Sequence, residues 1–304
     1  MYRVFKLLII GFMLFAVNNM FAQQTDSVTI VTDSTNVIPK RILTGFELDV
    51  DTMSKVMTKA EAAESATEKS QLSDRFEEIL IQTLKKENSF SHMFDSIPYV
   101  KQLISADSLV RIFSWSIPTE KKGVHNYHCI IQYRKVKTTK VSDVFVLDDT
   151  KNKIPLPEHE VLKYPNWYGC DYYQMVQKTD GKKIYYTLIG HDFNDGNSFK
   201  KCIDVLTFDR RNNPVFGAPI FLIDKKPQDR IIFEYSVQSV MKVSYYPEID
   251  QIAFNYLYPV IPEKKNDRRY YVSDGTYEGL MFKLGKWIKI PLTTSLTVPS
   301  PPIT

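Results

Sequence analysis

Tyr172-Tyr173-Gln174-Met175-Val176-Gln177 and Ile184-Tyr185-Tyr186-Thr187-Leu188-Ile189 flank the turn Thr179-Asp180-Gly181-Lys182. Each flank is a short run of aromatic and β-branched residues, which suits a pleated, half-buried strand. Asp-Gly accepts the backbone geometry of a tight hairpin turn. A link this short joins antiparallel neighbours, because a parallel crossover takes about a dozen residues or more. The stretch therefore predicts an antiparallel hairpin.

The same grammar runs outward in both directions from Leu109 on. Toward the N-terminus, Val110 to Ile117, Tyr127 to Tyr133 and Val141 to Leu147 read as strands. Toward the C-terminus come Ile203 to Phe208, Ala218 to Ile223, Arg230 to Tyr235 and Met241 to Tyr246. Ile252 to Leu257, Tyr277 to Leu284 and Trp287 to Ile290 follow. Turn residues punctuate them, as in Asp209 to Pro214, Tyr246 to Asp250, Ser273-Asp274-Gly275 and Leu284-Gly285-Lys286. Residues 109–292 are thus expected to form a mainly β domain, an antiparallel sandwich or meander of about 12 short strands. An irregular β-propeller is the alternative, although no internal repeat of blade length is visible.

Residues 46–108 read as a small helical segment. Leu72, Phe76, Ile79, Leu80 and Leu84 fall on one stripe, predicting a helix from about Ser73 to Glu87 with Ser73 as its cap. Ser54 to Ser70 is rich in Ala, Glu and Lys with weaker apolar spacing, and Leu103-Ile104 suggests one more short turn.

The chain ends carry a different message. Arg3 and Lys6 precede the apolar run Leu7 to Val17, and Phe21-Ala22 precedes a polar stretch. That order is the pattern of a secretory signal peptide over 1–22, cleaved after Ala22. The run is short of the roughly 20 residues that span a bilayer as a helix. The first cysteine is Cys129, so the lipoprotein pattern, which needs a cysteine at the cleavage site, is not met. The expected location is the periplasm or the exterior, with no transmembrane segment after cleavage. Residues 23–45 are expected to be a flexible tether, and the proline-containing tail 293–304 to be disordered.

Charge argues against one class of partner. The whole chain carries +4, and Arg3 and Lys6 supply two of those charges, leaving +2. So nearly neutral a chain gives no electrostatic case for nucleic acid. The basic pairs Lys121-Lys122, Lys200-Lys201, Lys264-Lys265 and Arg268-Arg269 read as solvated loop charge. Three cysteines, Cys129, Cys170 and Cys202, leave at least one thiol unpaired, and no essential bridge is expected. Cys129 shares a strand face with Tyr127, Ile131 and Tyr133, the place of a buried thiol.

Several strings resemble exported proteins of Bacteroidota, a family of unknown function. They are Ser105 to Pro118, Trp167-Tyr168-Gly169, Tyr186 to Gly190, Ile203 to Phe208, Phe216 to Phe221 and Tyr271 to Gly279. The Phe21-Ala22-Gln23 junction is similar as well. The resemblance covers about residues 75–290. It implies an exported envelope protein and carries over no site residue.

Candidate chemistry is sparse. The loop His191-Asp192-Phe193-Asn194-Asp195-Gly196-Asn197 holds hard oxygen donors, but its spacing departs from a calcium-binding EF-hand and an ordinary polar turn explains it. His125, His128 and Cys129 could suggest zinc, yet on a strand His128 and Cys129 point to opposite faces. His159-Glu160 lacks the second histidine of a zinc protease. No Gly-x-Ser-x-Gly elbow and no Gly-rich phosphate loop occur. His92 completes the histidines, and spacing singles out none as a base. Asp204, Glu234 and Glu278 lie in predicted strands and are expected to alternate outward. Trp115, Trp167, Tyr168, Tyr172, Tyr173, Tyr245 and Tyr246 could stack a sugar but are expected mainly in the core. No catalytic residue, cofactor or metal is assigned.

Three functional expectations follow. The first is a non-catalytic exported module binding an envelope protein or a glycan. The second is a hydrolase of envelope or dietary polymers using dispersed carboxylates. The third is a structural helper that docks through an exposed Phe76, Ile79 and Leu84.

Overall fold

The computed structural model describes residues 45–291. The expected signal peptide, the tether up to residue 44 and the tail from 293 lie outside them. Two helices lead, α1 (Phe46–Ala62) and α2 (Ala66–Leu84). Seventeen strands follow among the described residues. The first six are β1 (Lys101–Ile104), β2 (Val110–Pro118), β3 (His125–Tyr133), β4 (Asp143–Asp149), β5 (Leu162–Lys163) and β6 (Asn166–Trp167). Next are β7 (Asp171–Asp180), β8 (Lys183–Asp192), β9 (Ser198–Phe208), β10 (Pro214–Phe216), β11 (Phe221–Ile223) and β12 (Lys226–Gln228). The last are β13 (Ile231–Ser236), β14 (Val243–Tyr246), β15 (Gln251–Pro259), β16 (Tyr271–Lys283) and β17 (Lys286–Pro291).

The strands form three sheets. The first runs β1-β2-β3-β4-β6, the second β5-β10-β9-β8-β7 with β13 also on β9, and the third β12-β11-β17-β16-β15-β14. The fold is mainly β, and its pairing is antiparallel except where β6 joins β4 and β11 joins β17. The hairpin predicted at Asp180-Gly181 is β7–β8, with Asp180 opposite Lys183.

Three apolar cores separate four layers. Phe76, Leu80 and Leu84 of α2 meet Phe113, Trp115 and Ile130 on the outer face of the first sheet. Ile112, Cys129 and Ile131 on its inner face meet Tyr172, Leu188 and Cys202 of the second sheet. The opposite face of the second sheet, through Ile189, Ile203 and Val205, meets Ile252, Leu280 and Trp287 of the third. No core cluster among the described residues joins the first sheet to the third, so the arrangement is layered rather than closed on itself. Because β8 is covered on both faces, it reads as a continuous apolar run, not as an alternation.

The helical segment departs from expectation at both ends. Ser65, not Ser73, caps α2: its side chain accepts the Glu68 amide at 3.1 Å. Ser73 sits a full two turns inside, buried against the sheet, where its hydroxyl accepts the Trp115 indole at 2.8 Å. The supposed turn at Leu103-Ile104 is strand β1, zipped onto β2 with Leu103 opposite Ile112. Phe76 and Leu84 are fully buried and Ile79 is packed against the same core, which removes the main support for docking through this stripe.

Candidate groove between the layers

The loop 191–197 and the start of β3, flagged separately in the sequence, come together. Phe193 stacks on His125 at 4.2 Å between ring centres, and its amide donates to the Tyr127 hydroxyl at 2.7 Å. Two glycines lock the contact. A Cβ on Gly123 (φ +78°) would lie 2.5 Å from the Gly196 Cα, and one on Gly196 (φ +80°) 2.8 Å from the Lys122 carbonyl oxygen. Only residues without side chains allow this approach at these backbone angles.

Several oxygens of that loop are already engaged, although the second oxygen of Asp192 has no partner among the described residues. Asp192, fully buried, takes the Lys151 ammonium at 2.8 Å and the Asn194 amide at 2.8 Å on the same oxygen. Asp195 accepts the Asn197 and Ser198 amides at 2.9 and 3.1 Å, the pattern of an Asx turn. Burial opposes ionisation of Asp195, but these amide bonds prevail and lower its pKa. Among the described residues no group of three or more His, Cys, Asp or Glu side chains is placed to hold a metal ion.

His128 points away from Cys129, toward α2. It stacks on Trp115 at 5.0 Å, meets Glu77 at 3.2 Å and lies 3.5 Å from the Ser73 hydroxyl. Ser73, His128 and Glu77 thus stand in the order of a hydrolytic triad. Ser73 is fully buried and its oxygen already accepts the indole proton, so no carbonyl can reach it. The row fastens α2 to the first sheet. Cys129 is buried on the opposite face, and all three cysteines are free.

The dispersed carboxylates divide. Asp204 does not face outward: it is fully buried and pairs with the equally buried Arg230 at 3.0 Å. Burial works against the Arg230 charge, but Asp204 outweighs it and raises the arginine pKa. Arg230 also donates to the carbonyls of Pro157 and Glu160, pinning the turn that holds His159. Glu234 and Glu278, from different sheets, line one cavity of about 540 Å³ with Tyr168, Phe233, Tyr256 and Lys200. Glu234 accepts from Ser198 at 2.6 Å and from Asn194 at 3.3 Å, and Lys200 stands 3.9 Å away. Glu278 pairs with Lys289 at 3.0 Å.

A second cavity of about 690 Å³ is lined by His125, Tyr127, Lys151, Asn152 and Asn194. It shares Pro157, Tyr168 and Lys200 with the first, so the two adjoin. A third, of about 420 Å³, shares His125 with the second and holds Asp171, Ser116 and Lys101. Burial dominates the titrations here. It pushes Asp171 up to about 6, against a 2.8 Å bond from Ser116 and the Lys101 charge. It lowers His125, and it takes His191 down to about 4 with the Lys201 charge assisting.

Lys200 and Lys201 lie inside β9, not in a turn, and their side chains part. Lys200 enters the groove, whereas Lys201 runs under the Tyr173 ring at 4.7 Å, and burial lowers it to about 8. Trp115, Trp167, Tyr168 and Tyr172 are core residues. Tyr256, 43% exposed, is the open aromatic ring of the groove, and sequence reasoning passed it over. No family model, curated protein or solved structure matches the chain.

Proposed function

We propose that the protein is an exported, non-catalytic binding module of the cell envelope, and that its groove takes an extended ligand. The observation that carries this reading is that the three cavities adjoin in series: Pro157, Tyr168 and Lys200 border the first two, and His125 borders the second and third. A groove of that form suits a polymer or an extended chain segment better than a small compact molecule. Export rests on the N-terminal pattern of basic, apolar and small residues.

One observation favours a second reading, a polymer hydrolase: Glu234 and Glu278 share a cavity. Against it, each carboxylate already faces a lysine, and Glu234 accepts two further hydrogen bonds. Such carboxylates are built as acceptors, whereas glycoside hydrolysis needs one of the pair to donate a proton. A thermal-shift screen against glycans, muropeptides and divalent ions separates these readings. A saturable rise in melting temperature with one ligand class and no turnover of that ligand is expected. Turnover that disappears in Glu234→Gln or Glu278→Gln would replace the binding reading with the hydrolase.

A further inference from the structure

Resting on the reading of the groove as the ligand site, we infer that its ligand is an uncharged, hydroxyl-rich polymer: a neutral glycan strand. The groove carries three cation–carboxylate units along its length. Lys151 and Asp149, 4.0 Å apart, line the second cavity, with Lys151 also held from behind by the buried Asp192 at 2.8 Å. Lys200 faces Glu234 at the join, and Lys289 faces Glu278 at the far end of the first cavity.

The charge count is close to balance throughout. Three lysine or arginine side chains and four carboxylates line the first cavity, and three lysines and two aspartates the second. A polyanion binds by meeting unpaired cations, and here it would have to draw Lys151, Lys200 and Lys289 from part-buried carboxylates, leaving only Lys121 and Arg268 without a carboxylate partner among the described residues. A polycation meets the same penalty at Asp149, Glu234 and Glu278. A hydroxyl group meets neither. It donates to a spare lone pair of the carboxylate and accepts from a spare ammonium proton, so each ion pair serves it intact. Such pairs recur along the groove, which suits a ligand whose hydroxyls also recur.

The remaining wall fits the same chemistry. Tyr256, exposed, and Phe233 both line the first cavity. Flat apolar faces next to convergent polar groups match a pyranose ring, which has C–H faces and a hydroxyl rim. Arg268 also lines this cavity, with its guanidinium 4.3 Å from the Tyr271 ring centre, where stacking occupies one of its faces.

The test is isothermal titration of the purified protein with three sets of oligomers. These are neutral hexaoses (cello-, xylo-, manno- and malto-), the anionic polymer polygalacturonate, and cationic chitosan oligomers. The expected result is saturable binding by a neutral hexaose, weaker for the matching disaccharide. That binding should change less than about twofold between low and physiological salt, because no charge is neutralised. Tyr256→Ala should weaken it roughly three- to tenfold with an unchanged melting temperature.

Tighter, strongly salt-dependent binding of polygalacturonate or chitosan would overturn the neutral-glycan assignment. If Tyr256→Ala also weakens that binding, the groove reading stands; if it does not, the groove reading falls too. Failure of every oligomer to bind the folded protein would overturn the glycan assignment. Photocrosslinking from position 256 to an envelope protein would then decide the groove separately.

Discussion

At the scale of single residues, Asp171 and His191 sit on opposite sides of one account. Burial lifts Asp171 from 3.8 to about 6, so between those values the folded protein holds a proton that the unfolded chain has lost. On that account stability falls as pH rises from about 4 to about 6. Burial and Lys201 lower His191 from 6.5 to about 4, so between those values the unfolded chain holds the extra proton. Stability from that source rises with pH over nearly the same window. The two slopes oppose each other in the intact protein. Asp171→Asn should leave a protein whose urea midpoint falls more steeply on acidification from pH 6.5 to 4 than that of the parent. His191→Phe should leave one whose midpoint falls less, or rises. Parallel curves for all three proteins would show that these groups do not titrate as their surroundings dictate. The sequence marks His191 only as part of a polar loop and does not mark Asp171. Asp171 precedes the predicted strand that starts at Tyr172, and His191 follows the one that ends at Ile189; Ser116 of the first sheet meets Asp171, and the rings of Phe193 and Phe199 pack on His191. His125 and the loop 191–197 were visible as unusual polar clusters, but their meeting depends on which strands lie over which.

At the scale of elements, the twelve strands read from the sequence all have counterparts, and the five missed are β1, β5, β6, β10 and β12. Each of those spans two to four residues, too short for period-two alternation to register. Their pairing comes from neighbours instead, as where Phe216 of β10 lies between Leu206 and Leu162. The helices show the converse. The stripe containing Phe76, Leu80 and Leu84 was legible, but Ser73 resembles a cap in composition while serving as a buried acceptor for Trp115. Phe76 packs edge-on against Trp115 at 5.0 Å and is fully buried. Phe76→Ala should cost about 3–5 kcal/mol by chemical denaturation, the range for an aromatic removed from a closed core. It should also raise hydrogen exchange in α1 and α2 before the second sheet is affected. A loss below about 1 kcal/mol would mean that the hairpin of helices is only loosely seated.

For the whole molecule, the middle sheet is the element on which the other layers depend, and Trp287 is one of its ties. The ring is fully buried in the core between the second and third sheets, and its indole donates to Thr187 of β8 at 3.0 Å. Trp287→Ala should cost about 3–5 kcal/mol. It should also lower exchange protection in β8 and β9 as well as in β16 and β17. Protection lost only in the third sheet would show that the layers unfold separately. The groove inherits this dependence, since Glu234 comes from the second sheet and Glu278 from the third.

The parallel pairing of β11 with β17 sets the order in which the molecule can be completed. β17 belongs to the last six residues described, yet it lies inside its sheet, between β11 and β16. During synthesis, Phe221 and Leu222 wait for Trp287 and Ile288, their partners more than sixty positions later in the chain. Until those arrive, the third sheet has a gap between β11 and β16, and its core with the middle sheet lacks Trp287. A ribosome-bound chain therefore carries an open apolar surface for most of its elongation, and contacts between such distant segments form slowly. A helper that shields bare strands, or a pore that accepts an unfolded thread, would meet this chain in the state each requires until β17 is in place.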